Sequence, residues 1–274
     1  MKSVFKFILN TIPRPLLIRL SYVVRPILAL LLKGTKFTDP IDGKSFRMFL
    51  PYGYGTQRNN VLSPSTLSLE RHRLLWLYLK NETDFFQSEL VSDSNPTRIK
   101  LRVTEINAAL KVLHFAPEQA FYQLFRNQKN LEYTTTDLLS PLADVKADIC
   151  NLPFEDNTYD LILCNHVLEH IPDDTKAMQE LYRVLKPGGM GIFQIPQDLS
   201  RATTFSDDSI TDAKERAKIF GQYDHVRIYG RDYFDKLRSI GFKVDEVDYT
   251  KTLSPELVEK YCLAQGEIIP VCFK

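Results

Sequence analysis

The chain has 274 residues, enough for one large domain or for one domain with an extension. Hydrophobic residues make up 44% and charged residues 25%, which is typical of globular proteins. The net charge of +1 excludes a global electrostatic field that recruits nucleic acid. The four cysteines are scattered, so we expect no disulfide framework and a cytoplasmic protein.

The first 35 residues are basic and apolar. Seven Lys or Arg residues precede the first acidic residue, Asp39. A spanning helix needs about 20 mostly apolar residues, and Arg25 with Pro26 interrupts the apolar run. No small-x-small cleavage site of a signal peptide follows. We therefore expect residues 1–35 to be a helical extension. It either makes peripheral contact with the inner face of a membrane or packs on protein, and the sequence leaves both open.

Residues 36–100 form a distinct lead segment with turn signals first and a helix afterwards. Ser68 is a suitable helix cap, Glu70 suits the first turn, and an apolar run follows at 74–79. The basic triplet at 71–73 either binds an anionic group or forms a solvated helix face, and we favour the solvated face.

Residues 101–274 alternate strand-like and helix-like patterns, which predicts an α/β domain with a parallel sheet. In chain order we expect strands at 110–115, 131–136, 159–164, 190–195, 242–249 and 268–273, with helices after Pro117 and at 172–185, 212–220 and 233–240. The turn Lys186-Pro187-Gly188-Gly189 is expected to end the second of these helices.

Polar residues follow several of the predicted strands. Ligands of open parallel sheets bind at the carboxyl ends of the strands. Asp137 therefore suits ribose hydroxyls, although a turn aspartate is the alternative. Glu118 either meets a cationic ligand or interacts with the helix N-terminus, and His166 either contacts the ligand or packs behind it.

The run Asp148-Ile149 … Leu152-Pro153-Phe154, the strand 159–164 with Asn165-His166 and Glu169-His170, and the stop at 186–189 resemble class I S-adenosylmethionine-dependent methyltransferases of type 11. The resemblance covers residues 110–274. It implies a Rossmann-like methyltransferase fold: a doubly wound, mostly parallel sheet of seven strands, with the antiparallel last strand inserted beside the previous one. It also implies S-adenosyl-L-methionine as cofactor.

The resemblance assigns the cofactor to a set of strand-end residues. These are Ala116, Pro117, Glu118, Asp137, Asp148, Ile149, Asn165 and His166. The first turn of the family is normally Asp-x-Gly-x-Gly-x-Gly, but here the glycine places hold Ala116, Glu118 and Ala120, and His114 stands in place of the acid.

The lead segment resembles a zinc-ribbon-like segment found before such domains, with altered ligand positions. Asp39, Asp42, Ser63 and Thr66 stand where the relatives have cysteines. A neutral hydroxyl is a poor zinc ligand. We therefore expect the ribbon shape without its metal, and no metal site elsewhere.

Residues 197–229 are too long for a plain connection, so we expect them to form a substrate lid. His225 is the candidate general base and Arg227 the candidate clamp on the acceptor. The alternative is that both residues only tie the lid to the core.

These patterns predict a methyltransferase that acts on an unidentified small, sugar or lipid-linked acceptor. The alternative is a non-catalytic binding module that retains the fold, which the missing glycines favour. A nicotinamide-dependent enzyme would need the glycine fingerprint that is absent here. Nucleic acid is not expected as a partner, and the sequence sets no oligomeric state.

Overall fold

The structure is a computed structural model that describes residues 13–53, 57–86, 99, 101 and 109–274. Contacts divide the chain into a first unit, Met1–Leu77 with Thr250–Gln265, and a second unit, Tyr78–Tyr249 with Gly266–Lys274. The three-part division predicted from the sequence, 1–35, 36–100 and 101–274, stays a prediction.

The first unit combines helices with two small antiparallel sheets. Its elements are α1 (Arg14–Leu31), β1 (Lys33–Thr38), β2 (Ser45–Phe46), β3 (Leu50–Tyr52), β4 (Arg58–Leu62), α2 (Glu70–Glu82, of which residues up to Leu77 belong here) and α7 (Pro255–Lys260). Strand β1 pairs with β2, and β3 pairs with β4. The predicted helix after Ser68 is confirmed. Phe37, Phe46 and Phe49 form a small apolar core.

A buried carboxylate organises the segment that resembles a zinc ribbon. Asp39 is fully buried, and its Oδ2 accepts hydrogen bonds from Thr66 Oγ1 at 2.5 Å and Ser68 Oγ at 3.1 Å. Its Oδ1 accepts one from the backbone N–H of Ile41 at 2.9 Å. Hydrogen bonds therefore link Asp39 to Thr66, two of the four positions that the resemblance to a zinc ribbon singles out. The ribbon shape itself stays a prediction.

The expectation of a solvated basic face on α2 is wrong for Arg73. Its side chain is fully buried and donates to the carbonyl oxygens of Val61 (2.9 Å), Ser68 (2.8 Å), Tyr261 (2.7 Å) and Cys262 (2.7 Å). Burial lowers its pKa, while the nearby Asp39 carboxylate acts in the opposite direction. Arg73 is therefore a structural cation whose donors are held by backbone oxygens.

Helix α1 exposes an apolar stripe along one face. Residues spaced three and four apart lie on the same side of a helix. The stripe consists of Leu16, Leu20, Val23, Val24, Ile27, Leu30 and Leu31, which are 37–74% exposed. Within the described part of the chain, no helix combines the length and the apolar character needed to span a bilayer.

The second unit is a six-stranded sheet with helices. Its elements are β5 (Leu110–Phe115), α3 (Gln119–Arg126), β6 (Leu131–Thr136), β7 (Tyr159–Cys164), a 3₁₀ turn (Leu168–His170), α4 (Asp174–Val184), β8 (Leu185–Ile192), β9 (Phe205–Ser206), α5 (Ala213–Ile219), β10 (Arg227–Ile228), α6 (Tyr233–Ile240), β11 (Lys243–Val247) and β12 (Ile269–Phe273). The strand order is β11-β12-β8-β7-β5-β6, and only the pairings of β12 are antiparallel. The α/β class and the inserted antiparallel last strand are confirmed.

The predicted count of seven strands is wrong for the described residues, where the sheet has six. Next to the outer strand β6, a single parallel bridge joins Thr136 to Val145. The Asp144 carboxylate accepts hydrogen bonds from the backbone N–H and the hydroxyl of Thr135, at 3.0 and 2.8 Å.

The Lys-Pro-Gly-Gly segment lies inside a strand, which corrects the expected start of β8 at 190. Helix α4 ends at Val184, and β8 begins at Leu185. Leu185 pairs with Tyr159 and Met190 with Leu161, so extra residues form a bulge between these pairs. A Cβ atom at Gly189 would lie 2.9 Å from the Lys186 carbonyl oxygen, which explains the glycine there.

Candidate functional site

The carboxyl ends of three neighbouring strands define the candidate site. Strand β5 lies between β6 and β7 and runs parallel to both. Phe115 is in register with Thr136 on one side and with Cys164 on the other. The next residues of the three strands, Ala116, Asp137 and Asn165, therefore lie side by side at one edge of the sheet. Parallel sheets bind their ligands at this edge.

Ala116 has a left-handed backbone, with φ at +45°. Glycine adopts this conformation readily, whereas a Cβ atom makes it costly. The Ala116 N–H donates to the Thr136 carbonyl at 2.9 Å, which ties the turn to the neighbouring strand. The turn therefore retains a backbone shape suited to glycine although the residue is alanine. Pro117 follows it and is buried.

Glu118 links the ends of β5 and β7. Its carboxylate bonds to His114 Nε2 and accepts a hydrogen bond from Asn165 Nδ2 at 3.2 Å. The Asn165 side chain in turn accepts from the Gln194 N–H at 3.3 Å. His114 is fully buried, and its Nδ1 lies 2.7 Å from the Tyr133 hydroxyl. Glu118 therefore places a carboxylate beside His114 at this edge, and its contact with the cofactor stays a prediction.

Asp137 caps a tight turn at the end of β6. Its Oδ1 accepts hydrogen bonds from the N–H groups of Leu139 and Ser140, at 2.7 and 2.6 Å. This is the turn role that the sequence left open. One carboxylate oxygen serves the turn, and ribose binding through the second oxygen stays a prediction.

The loop with Asp148 and Ile149 is fixed by helix α4. Asp148 is exposed and accepts a hydrogen bond from the Cys150 N–H at 2.9 Å, while Ile149 is buried. On helix α4, the Glu180 carboxylate accepts a hydrogen bond from the Leu152 N–H, with the two atoms 2.7 Å apart. Arg183 donates to the Leu152 carbonyl at 3.0 Å, and it bonds Glu180 at 2.7 Å. Sequence reasoning missed these two helix residues, because nothing in their local pattern points to a loop about 30 residues upstream.

His166 follows β7 with φ at +54°, a left-handed conformation that is uncommon outside glycine. Its Nδ1 lies 3.3 Å from Glu169 Oε1. Its buried Nε2 has no hydrogen-bond partner among the described residues. His166 therefore lies at the edge of the sheet, and its contact with a ligand stays a prediction.

His225 lies on a second segment that is anchored to the turn after β7. The Val226 N–H donates to the Glu169 carbonyl at 3.0 Å. His225 is 4% exposed, and its Nδ1 is 3.2 Å from the Phe220 carbonyl. Burial lowers the pKa of His225, so the ring favours its neutral form. Its Nε2 has no partner within the described chain.

Arg227 is held by the core. It forms a buried ion pair with Asp174 at 2.6 Å, donates to the Pro172 carbonyl at 2.7 Å and lies 3.3 Å from the Tyr229 hydroxyl. Asp174 also bonds Lys236. These contacts match the alternative in which Arg227 ties the segment to the core. A clamp on the acceptor stays a prediction.

The predicted site residues therefore fall into groups. Six of them lie at the ends of β5, β6 and β7: Ala116, Pro117, Glu118, Asp137, Asn165 and His166. Asp148 and Ile149 come three and four residues after Val145, which pairs in parallel with Thr136. His225 and Arg227 are fastened to the segment that follows β7.

Comparison with known proteins shows which class of protein the residues around this edge are similar to. Residues 97–193 match the family model described as a methyltransferase domain. Demethylmenaquinone methyltransferase of Staphylococcus epidermidis is 48% identical over 46 residues, 17% of this chain and 19% of that protein. The sterol 4-C-methyltransferase of Caenorhabditis elegans is 30% identical over 111 residues, 40% of this chain and 30% of that protein. The chain thus spans about a fifth of the length of the first curated relatives that it matches.

A search of solved structures found many chains, among them the [4+2]-cyclase SpnF. That structure is 15% identical, with a TM-score of 0.42 over 61% of this chain and 76% of that one.

The match at residues 97–193 and the parallel strand edge support a class I S-adenosylmethionine-dependent methyltransferase domain. The cofactor that this class implies is S-adenosylmethionine. The residues present fit it, because Ala116 keeps the left-handed turn of a glycine and carboxylates stand beyond the strand ends at Asp137 and Asp148.

Proposed function

We propose that this protein transfers the methyl group of S-adenosylmethionine to a small or lipid-linked acceptor. The observation that carries the proposal is the placement of Ala116, Asp137 and Asn165 side by side at the carboxyl edge of β5–β7. The named activities of the partial relatives, on demethylmenaquinone and on a sterol, favour an apolar small-molecule acceptor.

On the cofactor side, each group of residues has a proposed role. Asp137 binds the ribose hydroxyls, while Asp148 and the Ile149 N–H bind the adenine edge. Glu118, Asn165 and His166 face the methionine portion, where a carboxylate suits a cationic group. Ala116 and Pro117 shape the turn that lets the backbone pass close to the ligand.

On the acceptor side, the chain supplies alignment and proton handling. Bound S-adenosylmethionine supplies a methyl carbon on a cationic sulfur. A lone pair of the acceptor forms the new bond to that carbon, while the electron pair of the broken bond stays on sulfur. Alignment and exclusion of water account for most of the rate. The Nε2 of His225 has no hydrogen-bond partner among the described residues, which supports a role of this residue on the acceptor side. The contacts of Arg227 favour positioning of the segment.

Calorimetric titration of the full chain with S-adenosylmethionine tests the proposal. We expect a micromolar dissociation constant and at least tenfold weaker binding by Asp137→Ala, since the variant loses a charge-assisted hydrogen bond of about 1.5–3 kcal/mol. Asp245→Ala, which removes an exposed carboxylate on β11, is the matched control and should bind as the parent does. Absence of binding would favour the alternative, a non-catalytic module that retains the fold.

Methyl transfer is then measured with cofactor labelled at the methyl group. A panel of hydroquinones, sterols and sugar-bearing lipids serves as acceptors. We expect label in at least one apolar product, whereas binding without transfer to any member would contradict the proposed acceptor class.

We also propose that α1 attaches the protein peripherally to an anionic membrane surface. Its apolar stripe is exposed, and four basic residues, Arg19, Arg25, Lys33 and Lys36, lie on the helix or shortly after it, with the Asp42 carboxylate as an acidic neighbour of Arg25. No acidic residue occurs before Asp39. A basic helix with one apolar face suits the headgroup boundary of anionic lipids. This location would also bring the protein to a lipid-linked acceptor.

Sedimentation with vesicles tests the attachment. We expect the full chain to bind vesicles that contain phosphatidylglycerol and to bind pure phosphatidylcholine weakly. Ile27→Asp with Leu30→Asp should abolish binding, while Ala213→Asp with Lys214→Asp, at exposed positions of α5, should lower it much less. Equal binding by both variants, or a concentration-dependent dimer that the first variant dissolves, would overturn the membrane assignment.

A further inference from the structure

Three side chains around the turn after β7 bring metal-ligand atoms together. One ligand atom from each of Glu169, His170 and His225 lies within 4.8 Å of the other two. Glu169 is 1% exposed and His225 is 4% exposed. The two histidine rings meet edge to face, with centroids 4.8 Å apart. The cluster does not include the carboxylates assigned to the ribose and adenine of the cofactor, but Glu169 Oε1 lies 3.3 Å from Nδ1 of His166, which is assigned to the methionine portion.

Two buried atoms of this cluster lack hydrogen-bond partners among the described residues. Glu169 Oε2 and His225 Nε2 are buried and have no hydrogen-bond partner among the described residues. Burying a carboxylate oxygen and a ring nitrogen without hydrogen-bond partners destabilises the folded state. A cation between these atoms would remove that cost.

Hydrogen bonds set the tautomer of both histidines. His225 Nδ1 lies 3.2 Å from the Phe220 carbonyl, and His170 Nδ1 lies 3.2 Å from the Asp224 carbonyl. A carbonyl oxygen only accepts, so the proton of each neutral ring resides on Nδ1 and each Nε2 carries a lone pair. Metal-binding histidines commonly hold their second nitrogen against an oxygen in this way.

The backbone holds the two halves of the cluster in place. The Val226 N–H donates to the Glu169 carbonyl at 3.0 Å, directly beside His225. The Tyr229 hydroxyl lies 3.3 Å from the Leu168 carbonyl. The ligands therefore come from two segments whose register is fixed by hydrogen bonds.

We infer that Glu169, His170 and His225 bind a divalent transition-metal ion. Two imidazoles and one carboxylate form the donor set of catalytic zinc sites and of non-haem iron sites, which leave positions open for further ligands. Zinc holds its ligands tetrahedrally at about 2.0–2.1 Å, so the ligand atoms end about 3.4 Å apart. Binding therefore requires these atoms to approach one another by up to about 1.4 Å.

A metal on His225 Nε2 excludes a proton there, so this site replaces the base role predicted for His225. An open position on the ion would hold an acceptor oxygen and lower the pKa of its hydroxyl. That use rests on the proposed methyl transfer, whereas metal binding itself does not.

The test uses the full chain after removal of any affinity tag and dialysis against a chelator. Cobalt(II) is added as a spectroscopic probe, and zinc is then titrated in competition. We expect one ion per chain and at least tenfold weaker binding by Glu169→Gln and by His225→Gln. Glu256→Gln, at an exposed position on α7, should bind as the parent does.

Two further measurements keep the outcomes distinct. Circular dichroism confirms that each variant is folded, and the isosteric Glu169→Gln is decisive if His225→Gln unfolds. Titration with S-adenosylmethionine in the absence of metal separates failure of this inference from failure of the proposed function. No ion bound at submillimolar cobalt or zinc, or equal affinity in parent and Glu169→Gln, would overturn the metal site.

Discussion

Replacing Ala116 with glycine is expected to preserve or raise stability, against the usual effect of such a change. The residue has φ at +45°, where an L-residue costs about 1–2 kcal/mol. Glycine removes that cost, but it raises the conformational entropy of the unfolded chain, which destabilises the folded state by about 0.4–1 kcal/mol. The balance is a stabilisation of up to about 1.5 kcal/mol.

The matched control is Ala177→Gly, in the middle of α4 and fully buried. It loses about 1 kcal/mol of helix propensity and about 0.8 kcal/mol for the buried methyl group. Thermal unfolding followed by circular dichroism compares the two. At roughly 2–4 °C per kcal/mol, Ala116→Gly should raise the midpoint by up to about 6 °C, and Ala177→Gly should lower it by about 4–7 °C. If both variants lowered the thermal midpoint by a similar amount, a left-handed backbone at Ala116 would be refuted.

Three further predictions concern buried or half-buried charges. Asp174→Asn leaves Arg227 and Lys236 without their carboxylate, so urea unfolding should reveal a loss of about 3–5 kcal/mol; a loss below 0.5 kcal/mol, as expected of a surface change, would contradict the ion-pair assignment. The Arg183 hydrogen bond lowers the pKa of Glu180 from its ordinary 4.5. Glu180 therefore contributes stability above pH 4.5 that is lost as the pH falls through its lowered pKa in the folded protein. Glu180→Gln should reduce the decrease in melting temperature that the parent protein shows on acidification. An unchanged decrease would argue against the pairing of Glu180 with Arg183. Thr66→Ala removes a donor to buried Asp39 and should cost about 1.5–3 kcal/mol by urea unfolding, whereas an unchanged midpoint would show that the bond contributes nothing.

The sequence predicts the elements of the second unit well where apolar periodicity is strong. The strands at 110–115, 131–136 and 159–164 match the structure residue for residue, because their apolar, β-branched and aromatic runs are bounded by turn residues. Strand β8 was misjudged, because Pro187 and Gly188 are accommodated in a bulge that local patterns do not reveal.

Interactions between polar groups that are distant in sequence could not be predicted, for a different reason. The burial of Arg73 depends on backbone carbonyls as far away as Tyr261 and Cys262. Glu169 and His225 are likewise far apart in sequence, and only the fold brings their unpartnered atoms together. A pattern of neighbouring residues therefore indicates which side chains could bind a ligand or form an ion pair. It does not indicate which of these side chains the fold brings into contact.

A crystal structure of the full chain soaked with S-adenosylhomocysteine tests the central claim most directly. The account predicts density for the nucleoside at the carboxyl edge of β5–β7, with its ribose on Asp137 and its adenine beside Asp148 and Ile149. Solvent alone at this edge, with the ligand bound elsewhere or not at all, would contradict it.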